Sequence, residues 1–270
     1  MLICDHFVFL NNPKTGSTFV RSVIKGIYLK RAFSSPLYKC ACQFGLLSPP
    51  YLELIHPNIK LPGNPPDQHG TYCQIPSKYS ARKVISVVRN PYDKFLSIYE
   101  YRRWYDHPPI NREVLRRHFP SFPKISLDEF VEMNKLIAKA RVGSDNMYNI
   151  GNQTAQFIQM FFRRPKEIFG KLDERYLSSQ DYVNDLGEIH FLRQESLAED
   201  LVALLATEGF TSDEFNFIKN HRKVNKTRQR YVDRTSLWTE KALEYVEENE
   251  SFLFRILKNK GIDYQRPTFL

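Results

Sequence analysis

Apolar residues fall into two kinds of run along this chain. Short continuous runs come first: "HFVFL" at 6–10 and "KVISVV" at 83–88 are rich in β-branched and aromatic residues. Such runs predict strands buried on both faces, as in a parallel sheet. After the first run, Val20, Val23, Ile24, Ile27 and Tyr28 recur at helical spacing, one apolar face of an amphipathic helix. After the second, Tyr92, Phe95, Leu96 and Tyr99 repeat that spacing. Strands alternating with helices predict an α/β fold with a central parallel sheet flanked by helices.

From about residue 110 the pattern turns helical. Ser126-Leu-Asp-Glu129, Ser196-Leu-Ala-Glu199 and Thr211-Ser-Asp-Glu214 have the lettering of capping boxes and predict three helix starts. The second of these helices carries Leu197, Leu201, Leu204 and Leu205 on its apolar face, with Gly209 where a C′ residue belongs. "HFL" at 190–192 is a further candidate strand, and a last helix is expected over about 239–258. Residues 43–66 are rich in proline and read as an irregular surface excursion. No repeat, low-complexity tract or composition break divides the chain. The expectation is one domain over 1–270 with a helical C-terminal half.

Composition narrows the class. With 270 residues, 42% of them hydrophobic, the chain is long enough to bury a large core. No run approaches the roughly 18 apolar residues of a membrane span. "MLICDHFVFLNN" has neither a basic start nor a long apolar run, so it reads as a first strand and not as a signal peptide. A cytoplasmic protein is expected. The alternative is a trimmed Golgi luminal domain, for which the sequons at Asn152, Asn225 and Asn249 would matter. Lys and Arg outnumber Asp and Glu by 39 to 30, a formal charge of +9. That balance suits a basic surface in general or a polyanionic ligand such as a nucleotide or acidic glycan. No RNP, zinc-finger or basic-helix pattern is present, so nucleic acid is not expected as the main partner. Cys4, Cys40, Cys42 and Cys73 form no C-x-x-C pair and are expected as free thiols. No His/Asp cluster predicts a metal site.

The chemistry concentrates after the two strands. "PKTGST" at 13–18 lies between a strand and a helix, the order in which proteins cradle phosphate groups. Gly16 allows a tight turn and close approach of the backbone to a ligand. Lys14 brings a positive charge, and Thr15, Ser17 and Thr18 bring hydroxyls. The Walker A pattern G-x-x-x-x-G-K-S/T is nevertheless absent. The second strand ends at Arg89, with Ser97 eight residues on in the next helix. Ligands of open α/β sheets bind outside the carboxyl ends of strands, so Arg89 can grip a second phosphate, with Ser97 supplementing it. The plainer alternatives are a structural corner at 13–18 and an Arg89–Asp93 ion pair.

Together, "PKTGST" and "VVRNPYDKFLSIY" resemble the signature of sulfotransferases that use 3′-phosphoadenosine 5′-phosphosulfate (PAPS), most closely the carbohydrate-type branch. The resemblance is strong over 8–21 and 84–99 and only pattern-level elsewhere. It implies a P-loop-like sulfotransferase fold. It also implies that Lys14, Thr15, Gly16, Ser17 and Thr18 bind the 5′-phosphosulfate, and that Arg89 and Ser97 bind the 3′-phosphate. Adenosine 3′,5′-bisphosphate would be the product, and no metal is required. Lys14 is suited to neutralise charge developing on the leaving phosphate.

A base must also strip the acceptor of its proton. His69 is the choice: its imidazole accepts a proton near neutrality, and in similar sulfotransferases a catalytic His lies at a comparable distance before the Arg. The pattern often has a Lys shortly before that His, where this chain has Asp67 and Gln68. Glu195 and, less favourably placed, Glu53 are the carboxylate alternatives. The basic run at 220–230 resembles a late loop over the nucleotide, with Asn225, Lys226 and Thr227 near the phosphates. Segments 102–109 and 146–157 offer aromatic and amide groups for an acceptor. The expected activity is sulfuryl transfer to a hydroxyl of a carbohydrate or small polar metabolite. N-sulfation of an amine or guanidine is the same-fold alternative, and a non-catalytic polyanion-binding module is the alternative of another class.

Overall fold

The computed structural model describes residues 1–44, 46–56, 66–143, 150–220 and 235–268. Contacts group them into two units. The first holds the described residues of 1–56, 66–89 and 188–220; the second holds those of 90–143, 150–187 and 235–268.

The first unit is built on a five-stranded sheet in the order β3-β1-β2-β4-β5. Its strands are β1 (Leu2–Ile3), β2 (Phe7–Leu10), β3 (Leu52–Glu53), β4 (Lys83–Val88) and β5 (Ile189–Arg193). β2, β4 and β5 are parallel, with Phe9 opposite Ile85 and Val87 opposite Leu192. β1 runs antiparallel to both β2 and β3, so the sheet is mixed and not wholly parallel as expected. The reason is local: only Cys4, Asp5 and His6 separate β1 from β2, and the Cys4 N–H closes the turn on the Phe7 carbonyl at 3.0 Å. So short a link permits only an antiparallel pair, because parallel strands need a crossover of a dozen or more residues.

Helix α1 (Ser17–Phe33) leaves the end of β2 and buries Val20, Val23, Ile24, Ile27 and Tyr28, the face read from the sequence. These residues share one core with Phe7, Phe9, Ile85 and Val87 from the sheet and with Leu201, Leu204 and Leu205. Fully burying such a side chain is worth about 1.5–3 kcal/mol, so this contact anchors the start of α1 against the strand ends. Leu201, Leu204 and Leu205 come from the helix Leu197–Thr207, which starts where expected and is followed by Gly209 at a φ of 79°. Ser196 does not cap it: its hydroxyl donates to Asp200 Oδ1 at 3.0 Å. The stretch expected to be irregular, 43–66, contains the short strand β3, and His56 within it bridges antiparallel to Asp67 just beyond; its residues 45 and 57–65 lie outside the described residues. Just before it, Pro36–Gln43 is helical.

The second unit is helical and aromatic. Helix Pro91–Tyr101 begins with the Asn90 Oδ1 accepting the Tyr92 N–H at 3.0 Å. It buries Tyr92, Phe95, Leu96 and Tyr99, with the Phe95 and Phe130 ring centroids 5.0 Å apart. The capping box of helix Leu127–Val142 forms as read, with Ser126 and Glu129 bonded reciprocally. The helix expected over 239–258 is broken into Glu240–Asn249 and Ser251–Asn259. Glu250, at the break, is fully buried. It accepts the Gln153 N–H at 3.0 Å and the Thr154 N–H and hydroxyl at 2.6 Å each. Its carboxylate thus caps the helix Asn152–Phe161. A Cβ at Gly151 would lie 2.1 Å from Glu250 Oε1, so glycine is required there. Burial pushes the Glu250 carboxyl up, against the opposing pull of its bonds from Thr154 and Gln153.

Asn152 is buried and bonds Asn134 and Arg141 through its carboxamide, so this sequon is closed to a glycan in the folded chain. Among the described residues no helix is long and apolar enough to cross a membrane. Replacing Glu250 by Ala leaves two buried amide donors unmet, each costing about 1–3 kcal/mol. Urea denaturation of Glu250→Ala is expected to show a loss of about 2–5 kcal/mol; a loss below about 1 kcal/mol would contradict the capping role.

Candidate functional site

The loop after β2 is organised by one asparagine. Asn12 Nδ2 donates across to the Val87 carbonyl of β4 at 2.9 Å, tying the end of one strand to its neighbour. The Asn12 carbonyl in turn accepts the Thr15 hydroxyl at 2.9 Å and the Ser17 hydroxyl at 2.6 Å. This closes the loop tightly enough that Lys14 takes a φ of 63° and Gly16 one of 83°. A left-handed lysine costs about 1–2 kcal/mol, and the bonds to Asn12 help hold it. Gly16 caps α1, and an added Cβ would meet Leu197 Cδ2 at 3.0 Å.

The Thr15 and Ser17 hydroxyls, read as ligand donors, therefore point their protons at the chain itself. What the loop offers an anion is the Lys14 charge, the half-buried Thr18 and the first-turn amides of α1. A helix start is favourable to negative charge, and no acidic residue stands in the first turn of α1 to compete. Arg89 follows the last residue of β4, and its Nη1 donates to the Lys14 carbonyl at 3.3 Å. The two cationic side chains thus belong to one corner, because β2 and β4 are paired neighbours. Ser97 stands half-buried on the helix Pro91–Tyr101 of the second unit.

His69 joins the same corner. Its Nδ1 lies 2.6 Å from the Asn11 carbonyl. A carbonyl can only accept, so Nδ1 carries the proton and Nε2 of the neutral ring holds the lone pair. That is the tautomer a base requires. The turn bearing His69 is held on both sides. Asp67 Oδ1 accepts the His69 N–H at 2.7 Å, and Thr71 and Gln74 form a capping box just beyond. Gly70 is buried, and a Cβ there would approach His56 Cδ2 to 2.9 Å.

The carboxylate alternatives are placed differently. Glu195 is exposed in the short turn Gln194–Ser196. Glu53 accepts from Arg21 Nε at 2.8 Å and Lys25 Nζ at 3.0 Å. Partial burial pushes its carboxyl up, but Lys25 and Arg21 outweigh this and hold it below the usual carboxylate range. A carboxylate so paired is a poor proton acceptor. The basic run at 222–230, with Asn225, Lys226 and Thr227, and residues 144–149 lie outside the described residues.

Sequence reading missed Asn11, Asn12 and Asp67, which build the corner without carrying charge to a ligand. The visible signal of the two asparagines was an Asn-Asn-Pro directly after a buried strand, a composition typical of turns; Asp67 follows a Pro-Pro pair, likewise turn-like. Comparisons with models of known families, with curated proteins and with solved structures return no match.

Because the folded Glu53 titrates below its unfolded value of 4.5, its ion cluster stabilises the protein above that pH. The contribution is lost as pH falls through the lower, folded value. The cluster is partly exposed, so Glu53→Gln is expected to cost about 1 kcal/mol or less at pH 7. That difference should shrink as pH falls below 4.5 in denaturation measured across the pH range; a difference that grows in acid would reverse the assignment.

Proposed function

We propose that the chain is a PAPS-dependent sulfotransferase acting on a hydroxyl of a carbohydrate or small polar metabolite. The observation that supports this reading is the meeting of three groups at paired strand ends. His69 bonds the Asn11 carbonyl, and Arg89 bonds the carbonyl of Lys14 in the same loop. A base, a cationic loop at a helix start and a second cation are the parts that sulfuryl transfer from a doubly phosphorylated donor needs.

The donor set fits that ligand. Two positive side chains and the amides of a helix start suit phosphate and sulfate oxygens, and the left-handed Lys14 presents the backbone in an unusual direction. When bound, PAPS supplies the sulfuryl group for in-line displacement and leaves as adenosine 3′,5′-bisphosphate. His69 Nε2 takes the proton of the acceptor hydroxyl. The Lys14 ammonium offsets negative charge on the bridging oxygen as the bond to sulfur breaks. Thr15, Gly16, Ser17 and Thr18 shape and line the 5′ side, while Arg89 receives the 3′-phosphate. The resemblance assigns Ser97 to that phosphate as well. Positioning and electrostatics do most of the work, as in phosphoryl transfer.

A ligand that binds only the folded state raises its melting temperature. Adenosine 3′,5′-bisphosphate is expected to raise it, and Lys14→Ala or Arg89→Ala to abolish that rise. No rise with the bisphosphate, beside a clear one with ATP and Mg²⁺, would favour a kinase and sink the proposal. His69→Ala should keep the rise but lower turnover by roughly 10²–10⁴-fold. Sulfated amines as the sole products in a mass-spectrometric acceptor panel would move the reading to N-sulfation. A rise without any product would move it to a binding module.

A further inference from the structure

Both ends of the Asn11 carboxamide, Oδ1 and Nδ2, are buried without a hydrogen-bond partner, and the residue is 1% exposed. Its surroundings make this unusual. Asn12 Nδ2 is bonded to Val87, the Thr15 and Ser17 hydroxyls to Asn12, and the Ser86 hydroxyl to the Leu10 carbonyl at 2.7 Å. The polar side chains beside Asn11 in the corner serve the chain; Asn11 serves nothing the chain provides. Its own carbonyl is the group that holds His69 Nδ1 at 2.6 Å. A buried amide left unmet costs stability, so such a group calls for an explanation, and a binding or catalytic role is one that native proteins use.

Resting on the sulfotransferase reading, we propose that the Asn11 carboxamide binds the acceptor, and that its chemistry selects a vicinal diol of a sugar ring. A carboxamide presents a donor and an acceptor side by side. The reacting hydroxyl gives its proton to His69 Nε2 and accepts from Asn11 Nδ2. The neighbouring hydroxyl donates to Asn11 Oδ1. An attacking amine nitrogen has one lone pair, which goes to sulfur, so it would leave Nδ2 unmet where a hydroxyl oxygen does not, and the site discriminates against amines. A site built to hydrogen-bond a hydroxyl rejects the analogue lacking it more strongly than an apolar pocket can, because its buried polar group is left unpaired. Both carboxamide atoms are shielded from solvent, so admitting the diol requires local opening and removes it from water.

The test combines stability with kinetics. Leucine has nearly the shape of asparagine and no polar atoms, so Asn11→Leu is expected to melt about 2–4 °C above the unaltered protein. It should keep its response to adenosine 3′,5′-bisphosphate. With PAPS, methyl glycosides and their monodeoxy analogues serve as probes. The unaltered protein should prefer the diol at least 10-fold in kcat/KM, and Asn11→Leu should lose that preference through a higher KM. A melting temperature at or below that of the unaltered protein would show that the amide serves the fold, and an unchanged preference would show that it does not touch the acceptor. Either result overturns the proposal. Asn11→Ala, which adds no bulk, decides the kinetic question if the leucine variant does not fold. Absence of any bisphosphate response in the unaltered protein would sink the sulfotransferase reading instead, and the melting comparison would still be informative about Asn11.

Discussion

Parallel pairing of β2 with β4 puts the carboxyl ends of two buried strands side by side, and the first unit depends on that constraint. With Phe9 opposite Ile85 and Leu10 opposite Ser86, the chain emerges at Asn11 on one strand and at Arg89 on the other. Asn12 can then reach the Val87 carbonyl, and Arg89 can reach the Lys14 carbonyl. A slip of one residue would turn Phe7 and Phe9 out of the core and separate these partners. The core that prevents the slip is the face shared by β2, β4, α1 and the helix Leu197–Thr207. Packing far from the corner thus sets its geometry.

Much of the polar chemistry in this chain is directed at its own backbone. Thr15 and Ser17 bond the Asn12 carbonyl, Asp67 the His69 N–H, and Glu250 the start of a helix in the second unit. Each meets a backbone group that burial or a tight turn would otherwise strand. The cost of stranding such groups explains why hydroxyls and carboxylates that look available in the sequence are committed in the fold. It also gives Asn11 its interest, since it breaks that rule within a few residues of Lys14.

His69 illustrates how a backbone contact selects chemistry. An isolated imidazole has two nearly equivalent tautomers. The Asn11 carbonyl removes that equivalence, and the Asp67 and Gly70 turn fixes the direction of the ring. The charge needed for catalysis comes from side chains, but their orientation comes from carbonyls and amides supplied by two separate stretches of chain.

The sequence alone determined the strands at 7–10 and 83–88, the buried faces of α1 and Pro91–Tyr101, and the lettering of the loop at 13–18. These are local matters: periodicity and turn chemistry act within a few residues, so no folding partner is needed to read them. Tertiary structure decided the pairing of β1 with β3 and the break at Glu250, whose carboxylate meets Gln153 and Thr154. It also decided the meeting of His69 with Asn11 and of Arg89 with Lys14, and the solitude of the Asn11 carboxamide. Each of these depends on which distant group fills a buried hydrogen-bonding position. Residue type shows that a group needs a partner; only packing shows which one it receives, or that it receives none.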